Sequence, residues 1–84
     1  DGIQFKSGGN PYPNVQITNV RIDGTSNTGA GILAQGSAGG SAVLTNVTIV
    51  NTAAAAVGRN PGSQFGFSGT VNGAPVQVGV VPGF

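Results

Sequence analysis

The sequence predicts an all-β fold: a right-handed parallel β-helix (a solenoid) of about three rungs, with a C-terminal edge strand or cap. The first observation is a repeat, because Thr18-Asn19-Val20-Arg21-Ile22 returns as Thr45-Asn46-Val47-Thr48-Ile49. A fixed spacing between about 20 and 50 residues is typical of stacked-coil architectures. The second observation is the near absence of helical periodicity in a chain with 16 Gly, which favours strands and turns.

Each copy of the repeat is interpreted as a short strand, a loop, two short strands around one Asn, and another loop. The first strand covers residues 2–5 and its second copy covers residues 31–34. Val15 and Ile17, followed by Val20 and Ile22, alternate with polar residues as in a half-buried strand. The repeat therefore predicts that equivalent strands of successive rungs lie one above the other.

The alternation slips by one residue across Asn19, and the same slip occurs at Asn46. A slip at one place in both copies indicates a corner where a residue leaves the β region. Asn tolerates the left-handed conformation better than other non-Gly residues. We therefore predict that Asn19 and Asn46 form a structural ladder, with their amides hydrogen-bonded along the stack.

The third copy is less regular. Residues 56–57 fit its first strand and residues 65–67 its second, but the Thr-Asn-Val signature is missing. Residues 7–13, 23–28 and 35–41 are rich in turn residues and predict loops. Residues 76–81 predict an edge strand that covers the end of the stack, since terminal repeats are atypical.

The 84 residues predict one small domain, a single β-solenoid segment covering residues 1–84. The sequence begins inside a strand motif without an initiator Met. We therefore expect it to be part of a longer β-helix or of a stacked assembly. A stack with open ends exposes strand edges, so the expected partners are other rungs of the same protein or copies of the chain itself.

Composition excludes several classes of function. The net charge is +1, and Lys6, Arg21 and Arg59 are scattered, so we predict no nucleic-acid partner. No apolar run has the length of a transmembrane span, and we predict no membrane partner. Without Cys or His, we predict no metal site and no cofactor. Low charge with abundant Gly, Ser, Thr and Asn is typical of secreted, extracellular proteins.

One turn, Gly36 to Ala42, lies between a Gly-Ile strand and the second Thr-Asn-Val phrase. With the Asn-Val-x-Ile phrases, this pattern resembles the later rungs of glycoside hydrolase family 87, the α-1,3-glucanases and mycodextranases, within the pectate-lyase-like right-handed parallel β-helix superfamily. The resemblance covers roughly residues 1–72. It implies a secreted polysaccharide-degrading enzyme whose α-glucan lies along the sheet of first strands, with catalytic carboxylates in an Asp cluster that includes an adjacent Asp pair.

The sequence contains no such pair. Glycoside hydrolysis requires two carboxylates, about 5 Å apart for retention or about 6.5–9.5 Å apart for inversion, and Asp1 and Asp23 are the catalytic candidates. Asp23 also fits a turn residue whose carboxylate binds nearby amides, and Asp1 also fits a chain terminus. The sequence therefore favours scaffold rungs without their own acid/base pair. Whether the protein is an enzyme stays open; if so, we expect a glycoside hydrolase acting on an α-glucan.

Four side chains are candidates for substrate binding. Gln4, Lys6 and Gln35 are expected to point outward from first strands and to hydrogen-bond sugar hydroxyls. Tyr12, between two prolines, fits either a platform for a sugar ring or a cover for the rim of the core. A polysaccharide is the expected ligand.

Two other functions remain open. The uncovered edges and near-neutral charge also fit a non-catalytic structural subunit that stacks into an extracellular filament or fibre. A flat Thr/Asn face that binds ice or crystalline polysaccharide is a third interpretation, but regular outward Thr-x-Thr ranks are missing.

Overall fold

The computed structural model describes residues 1–9, 11–25 and 29–82, and every regular element in these ranges is a strand. Residue 10 of the predicted loop 7–13 and residues 26–28 of the predicted turn 23–28 lie outside the described residues. The strands are β1 (Ile3–Phe5), β2 (Tyr12–Thr18), β3 (Arg21–Asp23), β4 (Ile32–Ala34), β5 (Gly40–Val50), β6 (Val57–Arg59), β7 (Gly66–Val71), β8 (Ala74–Pro75) and β9 (Val78–Val80).

The strands form two sheets. The first has the order β1-β4-β6-β9, and its neighbours are parallel. The second has five strands in the order β2-β5-β7-β8, with β3 also paired to the long strand β5. Its pairs are parallel except for β7 with β8, which are antiparallel.

The predicted fold class, a right-handed parallel β-helix of about three rungs with a C-terminal cap, is wrong. In the described part of the chain the strands form two open sheets of four and five strands, and neither is a closed or solenoid sheet. The physical reason lies after β7, where Asn72 and Gly73 have φ angles of 55° and 78°. Two consecutive residues with positive φ form the primed turns of β-hairpins, so the chain reverses into β8 instead of completing a third rung.

Local register does follow the sequence repeat. Ile3 pairs with Ile32 between β1 and β4, and Ile17 pairs with Leu44 between β2 and β5. A slip of one residue would turn each of these side chains to the opposite face of its sheet. Ile17 and Leu44 are both buried, so their burial keeps β2 and β5 in register.

The core combines side chains from both sheets. Ile32 and Phe65 are completely buried, and burial of an aliphatic or aromatic side chain contributes about 1.5–3 kcal/mol. The buried members of the core are Phe5, Ile17, Ile32, Ala34, Ala38, Ala42, Leu44, Val47, Ile49, Val57 and Phe65.

An aromatic cluster connects the two sheets. The ring of Phe5, from β1, stacks on Phe65 with centroids 4.5 Å apart, and Phe65 lies 4.8 Å from Phe67 of β7. Tyr12 of β2 meets Phe5 edge-on at 5.2 Å. Such arrangements add about 0.5–1.5 kcal/mol per pair beyond area burial, so this cluster fixes how the two sheets pack at one end of their strands.

Candidate functional site

Asp23 ends β3 and forms a side-chain turn. Its Oδ1 accepts hydrogen bonds from Thr25 N at 3.0 Å, from Thr25 Oγ1 at 2.6 Å and from Asn51 Nδ2 at 3.1 Å. Its Oδ2 lies 3.8 Å from Arg21 Nη1. Aspartates commonly bind the backbone two residues further on in this way, so the carboxylate organises the chain after β3.

These contacts also set the ionisation of Asp23. The hydrogen bonds from the Thr25 hydroxyl and amide, followed by the one from Asn51 and the charge of Arg21, lower the pKa of Asp23 to about 2. Hydrogen bonds to the charged form of a carboxyl stabilise that form. A general acid for glycoside hydrolysis needs a raised pKa, so Asp23 is unsuited to that role at neutral pH.

Asp1, the second catalytic candidate, connects the start of the chain to the segment before β4. Its Oδ2 accepts a hydrogen bond from Gln4 Nε2 at 2.7 Å, and its Oδ1 accepts one from Ala30 N at 2.8 Å. A Cβ on Gly29 would collide with this carboxylate, which explains why Gly occupies that position. The backbone around residues 29–30 is thereby built around Asp1.

Lys6 and Tyr12, two of the four predicted substrate contacts, lie together in one cleft of about 340 Å³. The cleft is formed by the loop between β1 and β2 and by the turn after β4. Its lining residues are Lys6, Ser7, Gly8, Gly9, Pro11, Tyr12, Ser37, Ala38 and Gly39. Lys6 is exposed, and among the described residues no carboxylate lies within ion-pair distance of its ammonium group.

Tyr12 is held by hydrogen bonds on its polar end. Its hydroxyl donates to Lys6 O at 3.0 Å and accepts from Lys6 N at 3.2 Å. Its ring packs edge-on against Phe5. Because both ends of the side chain are engaged, Tyr12 closes the loop between β1 and β2 and covers the rim of the core, while its half-exposed ring still forms part of the cleft wall.

Gln4 and Gln35 are not among the residues that line this cleft. The Gln4 amide binds Asp1. Gln35 is half-buried in a turn, where its backbone N donates to Phe5 O at 2.8 Å and its O accepts from Ala38 N at 2.9 Å. The structure therefore brings together Lys6 and Tyr12 but places the two glutamines elsewhere.

The outer side of the first sheet is not a continuous polar surface. Leu33, which pairs with Gln4, is only 2% exposed. Further along the same row, a Cβ on Gly58 or Gly79 would approach Ala55 Cβ to 3.7 or 2.8 Å. Small residues in this row thus let residues before β6 pack over the sheet, where the resemblance implies an open substrate surface.

The two ladder asparagines are in direct contact. Asn46 Nδ2 donates to Asn19 Oδ1 at 2.8 Å, and their φ angles are 53° and 57°. Asn19 N also donates to Thr45 O at 2.9 Å. Both residues therefore turn the chain in the left-handed conformation, at the place where the sequence alternation slips.

Two further asparagines have structural roles that the sequence analysis missed. Asn60 is only 3% exposed; its Oδ1 accepts from Gly36 N at 2.7 Å and its Nδ2 donates to Val81 O at 2.8 Å. Asn72 accepts from Ile49 N and donates to Ile49 O, both at 2.9 Å. The turn sequences Asn60-Pro61-Gly62 and Asn72-Gly73 are the signals that could have identified them.

The part of the chain that the structure describes contains no group of three His, Cys, Asp or Glu residues arranged to hold a metal ion. Across the same residues, no helix has the length and hydropathy needed to cross a bilayer.

Comparison with known proteins identifies no relative. No family model matches the sequence, and neither a curated protein nor a solved structure matches it. The resemblance to the family 87 glycanases therefore stays a prediction from the Thr-Asn-Val phrases and the turns around them.

Proposed function

We propose that this chain is a non-catalytic framework segment of a secreted, polysaccharide-degrading protein that resembles an α-1,3-glucanase. In this role it supports a binding surface, while the general acid and the second carboxylate come from outside residues 1–84. Polysaccharide is the proposed ligand.

The observation that carries the proposal is the state of the two carboxylates. Asp23 has its Oδ1 filled by three donors and its pKa lowered to about 2. Asp1 accepts from Gln4 and from the backbone of Ala30. Each carboxylate fixes local chain geometry, and catalysis needs a carboxyl that keeps its proton near neutral pH.

Activity measurements test the catalytic half of the proposal. The chain incubated with α-1,3-glucan is expected to release no reducing ends above a buffer blank. Asp23→Asn and Asp1→Asn should leave that baseline unchanged. Hydrolysis by the unmodified chain that disappears in Asp23→Asn would overturn the framework assignment.

The cleft beside Lys6 is the proposed place of polysaccharide contact, because an exposed ammonium with three donors stands next to the half-exposed ring of Tyr12. Co-sedimentation with insoluble α-1,3-glucan measures the fraction of the chain that binds the polysaccharide. We expect Lys6→Ala to reduce the bound fraction, and Gln64→Ala, an exposed change outside the cleft, to leave it unchanged. Equal retention of both variants would remove the cleft from the proposal.

The alternative function, a structural subunit of an extracellular filament, draws on the edges of β1, β2 and β3, each of which pairs with a single strand among the residues described. A head-to-tail filament also needs an open edge at the opposite end. There, β8 lies against β7, and Pro75 in β8 has no N–H to donate, whereas β9 pairs with β6 alone among the described residues and keeps an open edge. Fibres in electron micrographs would favour this alternative over the framework role.

A further inference from the structure

In the part of the chain that the structure describes, the strands of the first repeat form an uncovered end. Within that part, β1, β2 and β3 pair only with strands of the second repeat, β4 and β5. Ile3 and Ile22 are half-buried, whereas their register partners Ile32 and Ile49 are buried. The same side-chain types at equivalent positions thus differ in burial because the first repeat is covered on one side only.

The backbone of β3 exposes unpaired hydrogen-bonding groups at this end. Thr48 N donates to Val20 O and Gly24 N donates to Val50 O, both at 2.9 Å, so alternate residues of β3 face β5. The N–H and C=O groups of the residues between them, Arg21 and Asp23, therefore point away from β5. Among the described residues, no strand pairs with that edge.

The charged side chains on the β3 edge are complementary to those on the same edge of a second copy. Arg21 and Asp23 are 64% and 41% exposed and lie on the same face of β3, on either side of Ile22. If a second β3 runs antiparallel with Ile22 opposite Ile22, each Arg21 stands directly opposite the other copy's Asp23. Opposite charges at directly opposed positions stabilise antiparallel pairs.

We propose that two copies of this chain associate end to end through a two-fold axis, pairing β3 with β3 about Ile22. In this arrangement Arg21 and Asp23 of the two copies exchange four backbone hydrogen bonds and form two cross-strand charge pairs. The half-buried apolar residues at the same end, Ile3, Val15, Val20 and Ile22, are then covered.

The available area suits such a dimer. Four strands about 4.8 Å apart span roughly 15 Å, which corresponds to the shortest dimension of the molecule, 16 Å. The other two extents of the molecule, 29 and 25 Å, then bound the uncovered end, and the area they enclose is comparable with the roughly 800 Å² per partner of a standard interface. A two-fold contact uses the same surface on both copies, so association stops at two.

Charge reversal on β3 tests the proposal, with oligomeric state measured by sedimentation equilibrium from about 10 µM to about 1 mM. The unmodified chain is expected to be a dimer at the upper end of this range. Arg21→Asp places two acidic residues opposite two others, and Asp23→Arg does the same with basic residues. Each single variant should weaken association by about tenfold or more.

Two combinations of these variants distinguish loss of β3 pairing from loss of folding. The double variant Arg21→Asp with Asp23→Arg exchanges the charges and should restore the dimer, and a mixture of the two single variants should form a heterodimer. Amide exchange gives the register, because the N–H groups of Arg21 and Asp23 should become protected only in the dimer. A chain that stays monomeric to about 1 mM, single variants that associate like the unmodified chain, or open-ended growth would each overturn the proposal.

Discussion

Asparagine is the residue that turns this chain. The described residues include five asparagines with positive φ, at positions 14, 19, 46, 51 and 72, each with φ between 44° and 59°. A left-handed backbone costs an ordinary L-residue about 1–2 kcal/mol, and Asn reduces that cost because its short side chain binds locally. At Asn46 the side chain contacts Asn19 instead, so backbone turning and contact between repeats depend on the same residue.

Two substitutions at Asn46 separate these contributions. Asn46→Gly keeps the backbone conformation and loses only the exposed amide bond, which we expect to cost at most about 1 kcal/mol of unfolding free energy. Asn46→Ala also forces a Cβ into the left-handed region, for a total of about 2 kcal/mol. Urea unfolding followed by circular dichroism measures both. Equal losses for Gly and Ala would show that the backbone conformation contributes nothing.

Asp23 makes stability depend on pH in a defined direction. Its pKa falls from 3.8 to about 2 on folding, so the folded state binds the proton less tightly than the unfolded state. Its contribution is complete above the unfolded value and is lost as pH falls from about 4 to about 2. Below that window the contribution is absent.

Melting temperatures measured from pH 6 down to about pH 2 test this for the unmodified chain and for Asp23→Asn. The difference between the two should be constant above about pH 4 and shrink through the window below it. An NMR titration of the Asp23 carboxyl should place its midpoint near 2. A midpoint near 3.8 would mean that the Thr25 and Asn51 contacts do not form in solution.

The sequence identified some of these residues and not others for a physical reason. Asn19 and Asn46 occupy equivalent positions in two copies of one phrase, and the slip in alternation beside each predicts a corner. Asn60 has no equivalent in a second copy of a repeated phrase. Its structural role comes from buried hydrogen bonds to the backbone of Gly36 and Val81, which are distant in sequence. A single turn residue carries no information about which distant backbone groups it binds.

Among the elements, the β7–β8 hairpin determines how the second sheet ends. Gly69 has a φ of 98° and lies beside Leu44 on β5, and a Cβ there would collide with Leu44 O. Directly after β7, the Asn72 side chain binds both backbone groups of Ile49. The amide thus occupies part of the edge of β5 that a full third copy of the repeat would have paired with.

Two glycine substitutions in this hairpin can be ranked against a reference substitution at Gly9, in the loop between β1 and β2. Gly9→Ala has ordinary φ and open space, so no change is expected. Gly73→Ala has open space but a φ of 78°, and should cost about 1–2 kcal/mol. Gly69→Ala combines positive φ with a collision against backbone and should cost more than Gly73→Ala. Thermal or urea unfolding gives the order, and a Gly69→Ala variant as stable as Gly73→Ala would contradict the close approach to Leu44.

The sequence contains the signal for this hairpin. Asn-Gly between two strand segments is a strong local indicator of a two-residue turn. The repeat interpretation assigns residues 65–67 to the second strand of the third copy and residues 76–81 to an edge strand, so it gives this turn no role. Periodicity predicts strand register in the first two copies, where both keep the Thr-Asn-Val phrase. In the third copy it places Val57 on a first strand, and Val57 pairs with Ile32, but it does not predict the reversal at Asn72 and Gly73.

At the scale of the whole molecule, aromatic packing connects the two sheets, each of which is held together separately by its own strand pairing. Hydrogen bonds connect strands within each sheet, whereas contact between the sheets depends on side chains. Phe65 lies on neither sheet, between β6 and β7, and is completely buried. It contacts Phe5 of the first sheet and Phe67 of the second, so it connects the two sheets.

The sequence did not predict this arrangement of the sheets. Hydrophobic alternation shows which side of a strand is buried, but it does not show which sheet covers that side. Phe5 and Phe65 are far apart in the chain, and nothing local to either predicts that their rings stack. The same limit applies to the cleft, since Lys6 and Tyr12 meet through a loop whose shape depends on hydrogen bonds to the Tyr12 hydroxyl.

Removal of the Phe65 ring should therefore destabilise both sheets together. Truncation of a buried Phe to Ala costs about 3–5 kcal/mol, a large fraction of the roughly 5–15 kcal/mol that stabilises a typical domain. Phe65→Ala is expected to unfold at much lower urea concentration, in one transition seen both by far-ultraviolet circular dichroism and by Tyr12 fluorescence. Phe67→Ala, at a half-buried position, is the matched control and should cost less. If Phe65→Ala melts in two separate steps, each sheet is stable without the other, and the aromatic cluster is not what joins them.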